Sequence, residues 1–335
     1  VLNKIDISEQ LSPWSNPRDP EIIFPLEDYE KLLFDLGWSE PSTWLAHWLN
    51  SGGANLASFA WPKNARSDWI WALGLPFLSD LERYLMSGDN PIIFGISGLP
   101  GCGKTSFGYW LEAAASELKW PLSVISMDDF YLPALLLDKA MEGNPWNVPR
   151  ALPGSHSIEL LQDTIDYWLE NGELFAPKFD KSLRNGLGDR CGWHLARPKA
   201  LVIEGWFLGC APVQSQTNDI SLQDESNYCL TNDEKEYRKV VQESLKLYQP
   251  IWKRFKRIWH LKASQFQSLS LWKSQQEHQM QIQRGSSLKG KSLESFIRMI
   301  YTAIPERNLQ SIEADALATL NNERQIEWIG IKDSY

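Results

Sequence analysis

Eight residues, Gly98-Leu99-Pro100-Gly101-Cys102-Gly103-Lys104-Thr105, restrict this chain to a small set of architectures. They fill the pattern G-x-x-x-x-G-K-[ST], in which glycines let successive backbone N–H groups turn inward around an anion. The flanks agree. Ile92-Ile93-Phe94-Gly95-Ile96 is a short apolar run of the kind that forms a strand buried on both faces. Residues 106–115 read as a helix, whose N-terminus adds partial positive charge to the anion site. Strand, glycine loop and helix together predict a nucleotide-phosphate site built from Gly98, Gly101, Cys102, Gly103, Lys104, Thr105 and Ser106. Lys104 would reach the β- and γ-phosphates, and the Thr105 hydroxyl would hold Mg²⁺.

The rest of the pattern is layered. Residues 1–90 are punctuated by Pro13, Pro17, Pro20, Pro25 and Pro41. They read as a helical N-terminal extension, with one helix ending near Leu49, a break at Ser51-Gly52-Gly53 and a second helix over 79–86. From residue 91 strands and helices alternate. Strands are predicted at 122–127, 200–205 and 257–261, and an amphipathic helix at 158–170. That alternation predicts an α/β fold, a mainly parallel sheet flanked by helices, over 91–335. Residues 212–236 are polar and read as a mobile loop; 264–283 read as a Gln-rich helix. The 17 tryptophans, among them Trp38, Trp44 and Trp48, read as packing residues.

Composition excludes several classes. With 33 basic and 42 acidic side chains the net charge is −9, and no long basic run is present, so non-specific nucleic-acid binding is not expected. Cys102, Cys191, Cys210 and Cys229 form no C-x-x-C pair, which predicts a reducing compartment and no structural zinc. No apolar run is long enough for a membrane span, and the first residues are too polar for a secretory signal. A cytoplasmic location is the expectation.

Acidic residues stand where phosphoryl chemistry would need them. Ligands of open α/β sheets gather at the carboxyl ends of the strands. Asp128 and Asp129 follow the second strand, about one helix plus one strand after Lys104. Asp128 is expected to accept a proton from a substrate hydroxyl, and Asp129 to cap a helix or contact the metal through water. Glu204 ends the apolar run Leu201-Val202-Ile203, which is the logic of a strand whose carboxylate orients Mg²⁺. Two guanine-nucleotide look-alikes carry no weight. Asn3-Lys4-Ile5-Asp6 lies upstream of the glycine loop, on the wrong side for that role, and Asp189-Arg190-Cys191-Gly192 has no partner without it.

These elements resemble a family when taken with Gly143-Asn144-Pro145, Pro153-Gly154-Ser155-His156, Pro177-Lys178-Phe179-Asp180-Lys181-Ser182, Gly188-Asp189-Arg190 and Glu204-Gly205-Trp206-Phe207-Leu208-Gly209. Over roughly residues 91–310 the chain is similar to the D-glycerate 3-kinases, a branch of the P-loop kinases related to phosphoribulokinase, uridine kinase and pantothenate kinase. The resemblance implies transfer of the ATP γ-phosphoryl group to the 3-hydroxyl of D-glycerate, a step that closes photorespiration in photosynthetic organisms; a plant or algal member would work in the plastid stroma. It implies that Tyr131 and His156 contact the substrate. A small carboxylate also needs a cation, for which Lys181 and Arg190 are the candidates, with Asp180 and Arg184 nearby. Leu271-Trp272-Lys273-Ser274-Gln275-Gln276-Glu277 resembles the family's lid helix, but Lys273 and Gln281 stand where arginines are expected, and Arg284 follows one turn on. Lysine keeps the charge and loses the bidentate fork. A related kinase acting on a nucleoside or pantothenate, or a nucleotide-binding regulatory module without turnover, are the other readings.

Overall fold

The computed structural model describes residues 24–61, 68–88, 91–213, 228–285 and 287–331. The chain begins with helices α1 (Leu26–Asp35) and α2 (Pro41–Asn50). A π-helical stretch, Trp69–Gly74, runs directly into α3 (Leu75–Ser87). Then come β1 (Ile92–Gly98), α4 (Lys104–Glu117), β2 (Leu122–Ser126), α5 (Ala134–Ala140), α6 (Ile158–Asn171), β3 (Leu174–Asp180), β4 (Asp189–Ala196) and β5 (Ala200–Gly205). The last part holds α7 (Asn232–Trp252), β6 (Arg257–Ala263), α8 (Ser268–Arg284), α9 (Lys291–Ala303), α10 (Glu306–Gln310), β7 (Ala316–Leu320) and β8 (Ile326–Ile331).

One six-stranded sheet has the order β2-β5-β1-β6-β7-β8. All its pairings are parallel except β7 with β8. Every residue of β1 and of β5 is buried, as strands covered by helices on both faces must be. The parallel arrangement brings the carboxyl ends of β1, β2 and β5 to one edge, which collects the glycine loop, Asp128 and Glu204.

The N-terminal helices share the hydrophobic core of the sheet. Trp44, Trp48, Trp110, Trp168, Trp259 and Trp272 are among the largest fully buried side chains, in keeping with a packing role. The indole N–H groups of Trp44 and Trp48 both donate to Ser79 Oγ, each at 2.8 Å. Asp80, fully buried on α3, accepts from Arg83 at 2.8 Å, Arg257 at 2.9 Å and the Trp259 indole at 2.9 Å. A buried carboxylate persists only with such partners, and here they tie α3 to β6.

Two regions differ from the sequence expectation. Residues 174–196, not assigned as strands from the sequence, form an antiparallel hairpin, β3 with β4, outside the main sheet. The polar stretch 212–236 is not a loop throughout: from Asn232 it is the start of α7. Thr231 Oγ1 accepts from the Glu234 backbone N–H at 3.2 Å, while Glu234 accepts from the Thr231 N–H at 2.8 Å. This reciprocal capping was written in the sequence as T-N-D-E. Residues 214–227 lie outside the described residues, as do 3–6. No helix among the described residues is long and apolar enough to cross a membrane.

Candidate active site

The glycine loop closes tightly between two aromatic elements. Gly101 has φ +78° and Gly103 φ +117°, both in the left-handed region that glycine tolerates. A Cβ on Gly101 would stand 2.7 Å from the Trp272 backbone of α8, and one on Gly103 2.9 Å from the Trp69 ring. The helix α4 then begins at Lys104, so its first N–H groups face the loop's interior. Lys104 is almost fully buried, and its Nζ is held over the loop by the carbonyls of Gly98 at 2.6 Å and Leu99 at 3.0 Å. The Thr105 hydroxyl donates to Glu204 Oε1 at 3.0 Å.

A cavity of about 1680 Å³ runs from this loop to Asp128. Residues 100–106 line its nucleotide end; Asp128, Tyr131, Arg150, Lys181, Glu204 and Lys273 line the remainder. Asp128 is held from two sides. The Tyr131 hydroxyl donates to Oδ1 at 2.7 Å and Lys181 Nζ to Oδ2 at 2.6 Å. Burial alone would raise the Asp128 carboxyl. The Lys181 ammonium and the neighbouring His156 outweigh that, holding it well below the usual carboxylate range. His156 Nε2 stands 4.0 Å from Oδ1, outside hydrogen-bonding distance.

The other expected residues fall into different places. Gly98 serves through its carbonyl to Lys104. Cys102 lines the loop with its side chain buried. Asp129 does not line the cavity: its Oδ1 accepts from the Phe179 N–H at 3.2 Å and its Oδ2 from the Ser126 N–H at 3.3 Å. It therefore ties the turn after β2 to β3, and burial pushes its carboxyl up to about 6. His156 is buried beneath Tyr131, with ring centroids 4.5 Å apart and planes at 22°. Arg190 turns away from the cavity and donates through Nε to the Tyr131 carbonyl at 3.1 Å. Arg184 pairs with Asp138. Asp189 accepts from the Ala134 N–H at 3.1 Å, bracing the start of α5.

Arg150 is the cation the sequence reading missed. It donates to the carbonyls of Gly186 at 2.7 Å and Leu187 at 3.0 Å, fastening the loop between β3 and β4 beside the cavity. No spacing rule picks out a lone arginine between Pro149 and Ala151. On α8, Lys273 is buried in an ion pair with Glu277 at 2.5 Å and lies 4.5 Å over the Phe296 ring. Burial lowers its pKa, the Glu277 pair opposes that, and Lys181 and Arg150 lower it further. Gln281 lines the cavity and donates to the Gly285 carbonyl at 3.0 Å. The Arg284 side chain lies outside the described residues.

Solved structures share this architecture. The YGR205w protein aligns over 76% of this chain and 94% of its own, with TM-score 0.59 and 23% identity. A D-glycerate 3-kinase from Cryptococcus neoformans var. grubii aligns over 76% and 96%, with TM-score 0.64 and 20% identity. The chain has the P-loop kinase fold. Its homologues in sequence are kinases as well. The uncharacterized kinase mug58 of Schizosaccharomyces pombe is 28% identical over 246 residues, 68% of this chain and 84% of that protein. The chloroplastic D-glycerate 3-kinase of Arabidopsis thaliana is 32% identical over 140 residues, 38% of this chain and 31% of that protein. No family model matches the chain. These relatives support an ATP-dependent kinase, a phosphotransferase with a small-molecule substrate.

Proposed function

We propose that this P-loop kinase transfers the γ-phosphoryl group of ATP to the 3-hydroxyl of D-glycerate, giving 3-phosphoglycerate and ADP. The observation that carries the choice of acceptor is that Arg150 and Lys181 line the same cavity as Asp128, with Lys181 paired to its carboxylate. A substrate that brings one carboxylate and a nearby hydroxyl suits a site that offers cations beside a carboxylate. Tyr131 and Lys273 line the same cavity as these two cations.

Positioning and charge neutralisation supply most of the catalysis in this reading. The 100–106 loop and Lys104 bind the phosphates, and Lys104 neutralises charge as the γ-phosphoryl group leaves. Among the described residues no cluster of three His, Cys, Asp or Glu side chains could hold a metal. Thr105 and Glu204 offer the few hard oxygens that suit Mg²⁺, which prefers one or two protein ligands plus phosphates and water. Bound there, Mg²⁺ would offset charge on the phosphate oxygens. Asp128 stays ionised and takes the hydroxyl proton as the new O–P bond forms; a loose transition state asks for that proton late. Lys181 orients Asp128 and meets the incoming carboxylate together with Arg150.

Purified protein supplied with ATP, Mg²⁺ and, in separate reactions, D-glycerate, uridine, ribulose 5-phosphate or pantothenate should release ADP with D-glycerate alone. Absence of glycerate-dependent ADP release overturns the acceptor. Release with uridine or pantothenate instead would assign one of those substrates.

A further inference from the structure

His156 is 4% exposed, and its Nε2 has no hydrogen-bond partner among the described residues. Its other ring nitrogen, Nδ1, stands 2.9 Å from the hydroxyl of Tyr248 on α7. The direction of that hydrogen bond follows from what else the Tyr248 oxygen holds. The Gly154 backbone N–H donates to it at 3.0 Å. A phenol oxygen accepts at two positions and has one proton to give. The Tyr248 hydroxyl is fully buried and Nδ1 is the acceptor that lies against it, so that proton goes to Nδ1; the reverse direction would leave the proton without an acceptor and turn the Nε2 lone pair toward the Asp128 carboxylate. A neutral imidazole that accepts at Nδ1 carries its own proton on Nε2. That Nε2–H faces Asp128 Oδ1 at 4.0 Å, next to the Tyr131 hydroxyl.

We propose that Tyr248 locks His156 in the Nε2–H tautomer, and that His156 is a positioning residue behind Asp128 and not a substrate contact. The Tyr131 O–H then donates to Oδ1 at 2.7 Å, and the His156 Nε2–H points its positive end at the same oxygen from 4.0 Å. Oδ2, the oxygen that now faces Lys181, is left to meet the acceptor hydroxyl. Packing supports a fixed ring. His156 is clamped between Tyr131 on one face and the edges of Phe207 and Tyr248, at centroid distances of 5.7 and 5.8 Å. The Tyr248 ring is itself fully buried against Phe207 and Trp252, so Tyr248→Phe removes the hydroxyl with little change of shape. The inference rests on Asp128 being the proton acceptor, as proposed above.

The test uses the full chain isotope-labelled at histidine nitrogen, with the His156 signals assigned by their loss in His156→Gln. Near about pH 7.5 the wild-type ring should show the neutral Nε2–H pattern with Nδ1 as a hydrogen-bonded acceptor. In Tyr248→Phe the Nδ1 signal should move toward that of an unbonded acceptor. An Nδ1–H tautomer in the wild type, or His156 nitrogens that Tyr248→Phe leaves unmoved, overturns the proposal. This measurement needs no substrate, so it stands apart from the identity of the acceptor. In turnover with whichever acceptor is used, Tyr248→Phe should lower kcat about tenfold, the size of one lost buried hydrogen bond, and leave the acceptor KM within about twofold. A raised acceptor KM at unchanged kcat in His156→Gln would make His156 a substrate contact and overturn its positioning role.

Discussion

The two ends of the cavity are built in opposite ways. The nucleotide end is one continuous stretch of chain, residues 98–106, in which backbone groups, the start of α4 and a single lysine make the site. The proposed acceptor end is assembled from side chains on five separate pieces. Asp128 and Tyr131 follow β2, Arg150 and His156 precede α6, Lys181 follows β3, Tyr248 comes from α7 and Lys273 from α8. A backbone-built site tolerates little change in glycine and much in the surrounding side chains. A side-chain-built site allows the acceptor to change with a few substitutions while the phosphate chemistry stays.

Variants at the two ends should separate accordingly. The largest effect is expected from Asp128→Asn, which keeps the Tyr131 contact and removes the carboxylate proposed to accept the proton. Its kcat should fall about 10³-fold, while ATP affinity, measured by calorimetry, stays near wild type. Lys104→Met should lose turnover to a similar degree, about 10³-fold, but through weakened ATP binding as well. Equal ATP affinities in the two variants would blur the division between the ends.

Next in size are Arg150→Met and Lys181→Met. Each should raise the acceptor KM by about 10- to 100-fold, as loss of one charged hydrogen bond implies, with the KM for ATP unchanged in steady-state assays. An effect confined to ATP would move these cations to the nucleotide end. Gly103→Ala should be smaller. A left-handed residue pressed against Trp69 should cost about 1–3 kcal/mol of stability by urea unfolding, with the KM for ATP raised and that for the acceptor unchanged.

The smallest expected effect concerns Asp129, which braces the acceptor end without lining it. Its folded carboxyl is raised to about 6 from an ordinary value of 3.8, so the folded state binds this proton more tightly than the unfolded chain does. The resulting stability is fully present below the unfolded value and is lost as pH rises through about 6. Between pH 5 and 7 wild type should therefore lose about 1–2 kcal/mol relative to Asp129→Asn, measured by urea unfolding at each pH. Parallel stability curves for the two proteins would remove the buried-acid role.

Much of the nucleotide end was readable from the chain. The run 92–96, the loop and the following helix appear in the fold within a few residues of their expected limits, and so does the strand ending at Glu204. Around Asp128, the sequence suggested the residue and the resemblance suggested neighbours, but not their geometry. Arg190 and Lys181 looked equivalent as cations. In the fold Lys181 reaches Asp128 while Arg190 bonds the Tyr131 carbonyl, because β4 turns its side chain the other way. Asp128 and Asp129 are adjacent in sequence and point to different tasks, one into the cavity and one to backbone N–H groups of β2 and β3. The start of α7 was missed although T-N-D-E announces a capping box; the polar composition around it masked the signal.

Local chemistry explains this division. A glycine loop between a strand and a helix acts through its own backbone, so its pattern is complete within a short window, and the order of residues alone specifies an anion site beside Lys104 and Thr105. Arg150, Tyr248 and Lys273 each carry an ordinary local environment. They become part of a site only when β2, β3, α7 and α8 converge, because each acts through partners that are distant in the sequence: Arg150 through the carbonyls of Gly186 and Leu187, Tyr248 through His156, and Lys273 through the Phe296 ring.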